Sequence, residues 1–467
     1  VSTNSAAPPQ QLERRLGPLD ASAIVISNVI GVGIFTSPGI IAQIVPHPLG
    51  MLTVWLAGGL LAFAGAMAYA ELAALRPRSG GEYVYLREAY GPLAGFLSGW
   101  TSFVAGFSGA IAAGAIAVAD YLGRFVPAAG VATPFVSIPL GIATLAVSPR
   151  AIVAIAAIVG LAFIHLRGLG PGRVVQNALA GGKVAALLLF VAFGLTIGNG
   201  SWAQAVPGQG VVATSWLLAL VPVMFSYAGW NAAAYVAEEV RDPGRNVPKA
   251  LALGTAAVVV LYLGINALYL YALPVQEIAS LNQQGQIAIA DAAARRLLGA
   301  PAATLLGAVT IVILLGSLSA MILAGPRVYY AMAQDGAFFK AAARVHPRYH
   351  TPSAAIIAQA AWSCVLVLSG TFNQLLTYTG FAVVLFSGLA VSSLFVLRWR
   401  NPSEPRPFKA WGYPVAPAIF AVASAVIVVN AIMREPGPSA WGLLLMASGI
   451  PLFFWLKNRG EGTGERG

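Results

Sequence analysis

An apolar run over residues 19–45 carries two glycines, Gly31 and Gly33, one residue apart near its middle. A run of that length spans a bilayer as a helix of about 20 residues or more. Glycine gives up more backbone entropy than other residues and lets a helical turn open. In lipid an opened turn needs partners for its freed N–H and C=O groups, which protein or a wet cavity must supply. A bound polar solute is one such partner, so residues 29–33 read as half of a binding site for a small zwitterion. Glycines in membrane helices also serve close packing, and on this stretch alone packing is the stronger reading. A second interruption, at residues 222–231, reverses that order.

Eleven further apolar runs follow, at 50–75, 93–122, 151–166, 175–197, 214–236, 250–273, 302–331, 354–368, 375–397, 415–432 and 441–456. Only 9% of the chain is charged and 58% is hydrophobic, where a soluble domain carries about 25% charged residues. The chain therefore reads as an all-α integral membrane protein with about twelve transmembrane helices. Residues 135–147 are also apolar, but short and punctuated by Pro134, Pro139 and Pro149. They read as an outer loop or partial segment; were they a span, the parity of everything after them would invert.

Charge tests the parity. With twelve spans and the N-terminus inside, the inner loops hold Arg76, Arg78 and Arg87, then Arg167 and Arg173, then Arg241, Arg245 and Lys249. Further inner positions are Arg327, Lys340, Arg344 and Arg348, then Arg398, Arg400, Arg406 and Lys409. The outer side holds only Arg124, Arg150, Arg295, Arg296 and Arg434. That bias orients membrane proteins and puts both termini in the cytoplasm. The net charge of +11 is thus a topology signal and calls for no nucleic-acid partner. Residues 1–18 read as a cytoplasmic tail rather than a cleavable signal. Cys364 is the single cysteine, which excludes an internal disulfide and a cysteine-built metal site.

The second interruption contains Pro222, Ser226 and Gly229, and proline lacks the helical N–H donor. It falls in the sixth run, five spans after the first, so the two broken helices cross in opposite directions. Paired breaks of this kind point to an inverted-repeat transporter. A half-helix N-terminus offers N–H groups and a positive dipole end to a carboxylate; a half-helix C-terminus offers carbonyls to an ammonium. Val32 and Gly33 supply the amides, and Val29 and Ile30, with Phe225 and Ala228, the carbonyls. Gly31 and Ser226 complete the two loosened stretches, Phe225 can close over a solute as an apolar lid, and Asn231 either contacts the solute or caps freed backbone.

Lys183 lies inside the fifth run with no acidic residue near it in sequence. A charge at membrane depth costs a few kcal/mol on the gentlest scale and is usually functional. It is about 12 Å from the inner end by helix rise, at the edge of what its stem can bridge by snorkelling. A cation fixed there can replace a bound sodium ion, or gain and lose a proton. Ser317 and Ser319 are candidate partners, although mid-helix serines often bond back to their own backbone. Asp20 reads as a cap on the first span; Glu71, Glu238 and Glu239 as gate ion pairs with the basic loops; His165, His346 and His350 as solvated surface. No phosphate loop, zinc motif or catalytic triad stands out, so neither an enzyme nor a cofactor is expected.

The chain resembles the amino acid–polyamine–organocation transporter superfamily, and its break most resembles that of the L-type amino acid transporters and their bacterial relatives. The residues that carry this are Gly31-Val32-Gly33-Ile34-Phe35-Thr36-Ser37-Pro38, Ser79-Gly80-Gly81-Glu82-Tyr83 and Phe225-Ser226-Tyr227-Ala228-Gly229-Trp230-Asn231. Glu238-Glu239 with Pro243, Arg245, Asn246 and Pro248, and then Arg327, Asp335-Gly336, His346 and Thr351-Pro352, extend the match. Val32 departs from the family's hydroxyl residue, leaving only its amide for a carboxylate. The resemblance implies a ten-helix core at 19–398 in two inverted five-helix repeats, with two peripheral helices and a cytoplasmic tail at 399–467. It further implies that Lys183 fills the position of a sodium ion. The expected activity is sodium-independent transport of neutral amino acids across the plasma membrane, by exchange or with protons. A polyamine, organocation or cationic amino-acid carrier is the alternative. The partners called for are an amino acid, the lipid bilayer and, if coupled, protons; an accessory subunit is left undefined.

Overall fold

The structure is a computed structural model and describes residues 12–31, 33–139, 144–204, 210–284, 289–370, 372–434 and 436–461. The first apolar run is two helices, α1 (Pro18–Val29) and α2 (Gly33–Ile44), bent by 47°. Proline opens α1, where its missing N–H costs nothing. Asp20 satisfies the helix start from the third position: its Oδ2 accepts the Gly17 N–H at 2.7 Å, and Gly17 itself holds the cap. α3 (Pro48–Leu75) is capped by His47, whose Nδ1 accepts the Gly50 N–H at 3.2 Å.

A short helix, α4 (Glu82–Tyr90), separates the second span from the third. The third is α5 (Pro92–Thr101), a wide π turn at Ser102–Gly106, and α6 (Phe107–Leu122). Among the described residues of 135–147 no helix forms; they carry an antiparallel strand pair, β1 (Val136–Pro139) with β2 (Thr144–Val147), in which Val136 pairs with Val147. α7 (Pro149–Leu166), α8 (Leu169–Thr196), α9 (Ala213–Tyr227), the four-residue α10 (Ala232–Tyr235) and α11 (Pro243–Ala272) follow. The polar stretch after α11 folds into α12 (Val275–Gln284) and α13 (Ile289–Leu298). Then come α14 (Ala300–Gln334), α15 (Ser353–Ser369), α16 (Phe372–Arg400), α17 (Val415–Arg434), α18 (Pro436–Ala447) and α19 (Gly449–Glu461).

Among the described residues nine helices are long and apolar enough to cross a bilayer, ten if the bent pair counts as one span; α9 and α15 are shorter apolar helices. Each apolar run of the sequence thus has a helical segment of its own. α14 packs against α1, α6, α8 and α15, and α11 lies along α1 and α3. Between them Trp55, Tyr227 and Tyr262 form a buried aromatic cluster with ring centroids 5.1–5.8 Å apart.

The loops rich in basic residues gather at one end. Arg76, just after α3, pairs with Glu88 and Glu404, and Arg78 with Asp335 at the end of α14. Glu71 receives both Arg398 and Arg406. Leu16 pairs with Val240 in a parallel backbone bridge, and His350 meets Glu13. The opposite end holds the Arg124–Asp291 and Arg150–Asp120 pairs.

Candidate functional site

The two interrupted helices meet at their breaks. α1 ends at Val29, Ile30 turns to an extended ψ of 97°, and α2 restarts at Gly33. The second break lies further along than the proline suggested. α9 runs through Pro222 to Tyr227, with the Ser226 hydroxyl donating to the Pro222 carbonyl one turn back at 2.9 Å. The chain unwinds instead at Ala228–Asn231, where Gly229 takes a φ of +100° that L side chains avoid. A Cβ at Gly33 would sit 3.1 Å from the Cα of Ser226, and one at Gly229 would sit 3.0 Å from the carbonyl of Asn28. Each break is therefore packed against the other helix, and the hydroxyls of Ser226 and Ser37 share a hydrogen bond of 2.7 Å across the contact.

Two buried side chains hold the freed carbonyls. Lys183, fully buried on α8, donates to Ser27 O at 3.2 Å and to Ile30 O at 3.0 Å. Tyr262 on α11 points its hydroxyl between Val29 O at 3.0 Å and Ser226 O at 3.2 Å, tying the two helix ends together. The carbonyls of Val29 and Ile30, read from sequence as free for an ammonium, are thus already engaged by the protein. Each keeps a second lone pair. Lys183 forms no hydrogen bond to either serine suggested for it: Ser319 lies 2.9 Å from His165 Nε2, and Ser317 faces Gly31, whose added Cβ would be 3.3 Å from its hydroxyl.

A cavity of about 620 Å³ lies beside the breaks. Val29, Gly31, Gly33, Phe225, Ser226, Ala228, Asn231 and Ser317 line it; Ile30 and Lys183 stand behind the wall, and Val32 lies outside the described residues. Its apolar side comes from small residues of α6 (Ala113, Gly114, Ala117) facing Leu314, Leu318 and Met321 of α14, and from Val383, Val384 and Phe386 of α16. Phe225 projects into it and is 57% exposed. The cavity reaches half-buried Arg150 and exposed Asp120 at one end and Glu82 at the other.

Sequence reasoning missed several of these groups. Asn28 lines the cavity with a buried Oδ1 that has no partner among the described residues, so it can accept from a ligand. Tyr262 carried no signal, being one aromatic among many in an apolar run. The π turn at Ser102–Gly106 places Thr101, Ser102 and Gly106 on the cavity wall; such turns recur at functional sites. Asn231 faces neither solute nor backbone with its amide N–H groups, which go to Glu82 Oε1 at 2.8 Å and Tyr235 Oη at 3.1 Å.

The basic end beyond the cavity is closed. Arg327 and Glu239, both buried, share hydrogen bonds of 2.9–3.1 Å. Glu238 Oε2 accepts the Ser79 N–H at 3.1 Å, and Leu16 lies along residues 239–241. Hydrogen bonds to Glu88 and Glu404 hold Arg76 still further into its charged range, and the same Arg76 contact pulls the Glu404 carboxyl down. His165 is a correction: it is 3% exposed at the end of α7, where that helix packs on α14, and is not solvated surface.

The family model described as amino acid permease matches residues 16–455. The chain belongs to the amino acid permease family. The permease is 28% identical to the large neutral amino acids transporter small subunit 2 of Mus musculus, over 95% of its own length and 81% of that protein's. It is equally 28% identical to the serine/threonine exchanger SteT of Bacillus subtilis, over 96% and 98% of the two chains. The Asc-type amino acid transporter 1 of Mus musculus is 28% identical over 95% and 81%. The permease is accordingly a multi-pass membrane protein of a transporter family, not of an enzyme family.

Proposed function

We propose that the permease carries neutral L-amino acids across the plasma membrane by alternating access, without sodium, as an exchanger or a proton-coupled symporter. The observation that carries this is the contact between the two breaks, Gly33 on Ser226 and Gly229 on Asn28, at the wall of one cavity. The start of α2 offers N–H groups and a positive dipole end to the substrate carboxylate. The ends of α1 and α9 offer the remaining lone pairs of their carbonyls to its ammonium. The side chain then lies among α6, α9, α14 and α16, over apolar residues that suit an uncharged group. Lys183 stands where a cation steadies the last carbonyls of α1, a role that a sodium ion would otherwise fill. The names of the relatives, which include large neutral and serine/threonine substrates, agree with a neutral substrate.

The ten-helix core at 19–398 is taken as two inverted five-span halves, with 399–467 peripheral. The basic loops face the cytoplasm on this reading, with both termini. The structure then corresponds to a conformation closed at the cytoplasmic end, with the cavity extending towards Asp120 and Arg150 outside. A carrier of cations needs a free carboxylate in the cavity. Glu82 and Asp120 are on its wall, but three donors engage Glu82, and Arg150 lies 3.4 Å from Asp120, so neutral substrates rank first.

The test is counterflow in proteoliposomes with labelled alanine, leucine, arginine and glutamate, with and without sodium. Alanine or leucine should accumulate against internal amino acid in sodium-free buffer. Accumulation of arginine alone, or an absolute need for sodium, would overturn the assignment.

A further inference from the structure

Glu82 is the one carboxylate at the basic end of the cavity that no ion pair uses among the described residues. It opens α4, between the second and third spans, and solvent reaches it in part. Its Oε1 accepts from Tyr69 Oη of α3 at 2.8 Å, from Asn231 Nδ2 in the unwound stretch after α9 at 2.8 Å, and from Ser387 Oγ of α16 at 3.2 Å. One carboxylate therefore ties a broken helix to two other spans.

The groups around it leave it without a counter-ion. Tyr69 and Tyr235 face it, and Tyr85 stacks edge-on against Tyr69 from α4 itself. α5 and the π turn bring the hydroxyls of Ser98, Thr101 and Ser102 to that wall, and Thr101 Oγ1 is buried without a partner among the described residues. α14 also packs on α4, but its Arg327 is spent on Glu239 and Asp335, at its end, on Arg78 and Arg87. Burial pushes the Glu82 carboxyl above the usual range, while the hydrogen bonds from Tyr69, Ser387 and Asn231 pull it back.

We propose that Glu82 is a binding site for a proton that the permease takes up from the cavity, and that this proton loosens the closed end. The proposal rests on the transport reading above. A proton from cavity water bonds to a carboxylate oxygen of Glu82, cancelling its charge. The three incoming hydrogen bonds lose their charge assistance, and the new O–H must itself find an acceptor. The tie between the unwound stretch, α3 and α16 weakens, and the basic end opens more readily. The proton then leaves to water on that side.

Two measurements on the purified full chain separate this from the transport reading. Infrared difference titration should give a protonated-carboxyl band that grows as pH falls, with its midpoint above the ordinary glutamate range. Glu82→Gln should remove that band. Tyr69→Phe should strengthen proton binding about tenfold, because it deletes a donor to the charged form. This spectrum is read without any substrate, so it fails or holds whether or not an amino acid moves. In proteoliposomes, leucine uptake should rise when an inward proton gradient is imposed, and Glu82→Gln should abolish the rise. A carboxyl band that persists in Glu82→Gln, or a proton response unchanged by it, overturns the proposal. So does selective loss of lysine counterflow with the proton response intact, which would make Glu82 a subsite for a cationic side chain.

Discussion

Lys183 shows how much one side chain has to do at membrane depth. Its ammonium is fully buried and spends its hydrogen bonds on two carbonyls, Ser27 O and Ile30 O, at the point where α1 stops. Those carbonyls have lost their helical partners, and an unmet buried acceptor costs about 1–3 kcal/mol. Lys183→Ala removes the donor and leaves both carbonyls facing apolar surroundings. Transport should be abolished or uncoupled from any driving gradient, while the protein still purifies as a folded monodisperse species. Uptake that matches the wild type at every pH would take Lys183 out of the mechanism. The lysine itself was legible in sequence because a cation inside an apolar run has no cheap explanation. Its partners were not, because backbone carbonyls leave no trace in residue identity, and the serines that looked suitable turn to His165 and Gly31 instead.

At the scale of elements, the permease depends on two helices that stop and restart where they touch. The glycines there are not equivalent. A methyl group at Gly33 would press on the backbone of α9 at 3.1 Å, whereas one at Gly31 would meet only the rotatable hydroxyl of Ser317 at 3.3 Å. Gly33→Ala should therefore weaken alanine or leucine counterflow far more than Gly31→Ala. Gly229→Ala has a further penalty. Its φ of +100° is strained for alanine, at about 1–3 kcal/mol, and its methyl would lie 3.0 Å from Asn28. A lower melting temperature for Gly229→Ala than for Gly31→Ala, measured in the same detergent, checks this; equal melting curves would mean the break tolerates a side chain. The long apolar runs made the helices legible, and the Gly31–Gly33 pair marked the first break. The second was displaced because proline is a strong signal that a helix can nonetheless absorb, while a single glycine with positive φ looks like any other glycine. The π turn of the third span and the cavity face of Glu82 were invisible for a related reason: both depend on which neighbours pack there.

Across the whole molecule, the closed end is held by groups far apart in sequence, and its central pair is Arg327 with Glu239. A buried ion pair is weak evidence of added stability, since desolvation offsets much of the attraction. What such a pair does provide is a discrete lock: it is made or it is broken, and breaking it exposes both charges. The pair joins α14 to the segment just after α10, and the Leu16–Val240 bridge lies directly over it. For the cavity to open at this end, α14 and that segment must part. Glu239→Gln keeps the shape and removes the charge, so it should shift the balance towards the conformation open at the basic end. A loss of about 1.4 kcal/mol in the lock changes that ratio tenfold. The shift can be read with Ser98→Cys, on the cavity wall, in a Cys364→Ser background, by labelling from the basic side with a membrane-impermeant maleimide. Labelling should quicken about tenfold with Glu239→Gln, and substrate exchange should fall because the outer-facing state is depleted. If labelling and exchange both stay at the parent rate, the pair only braces α14, and the closing of this end lies with Leu16 and the Glu71–Arg398–Arg406 cluster.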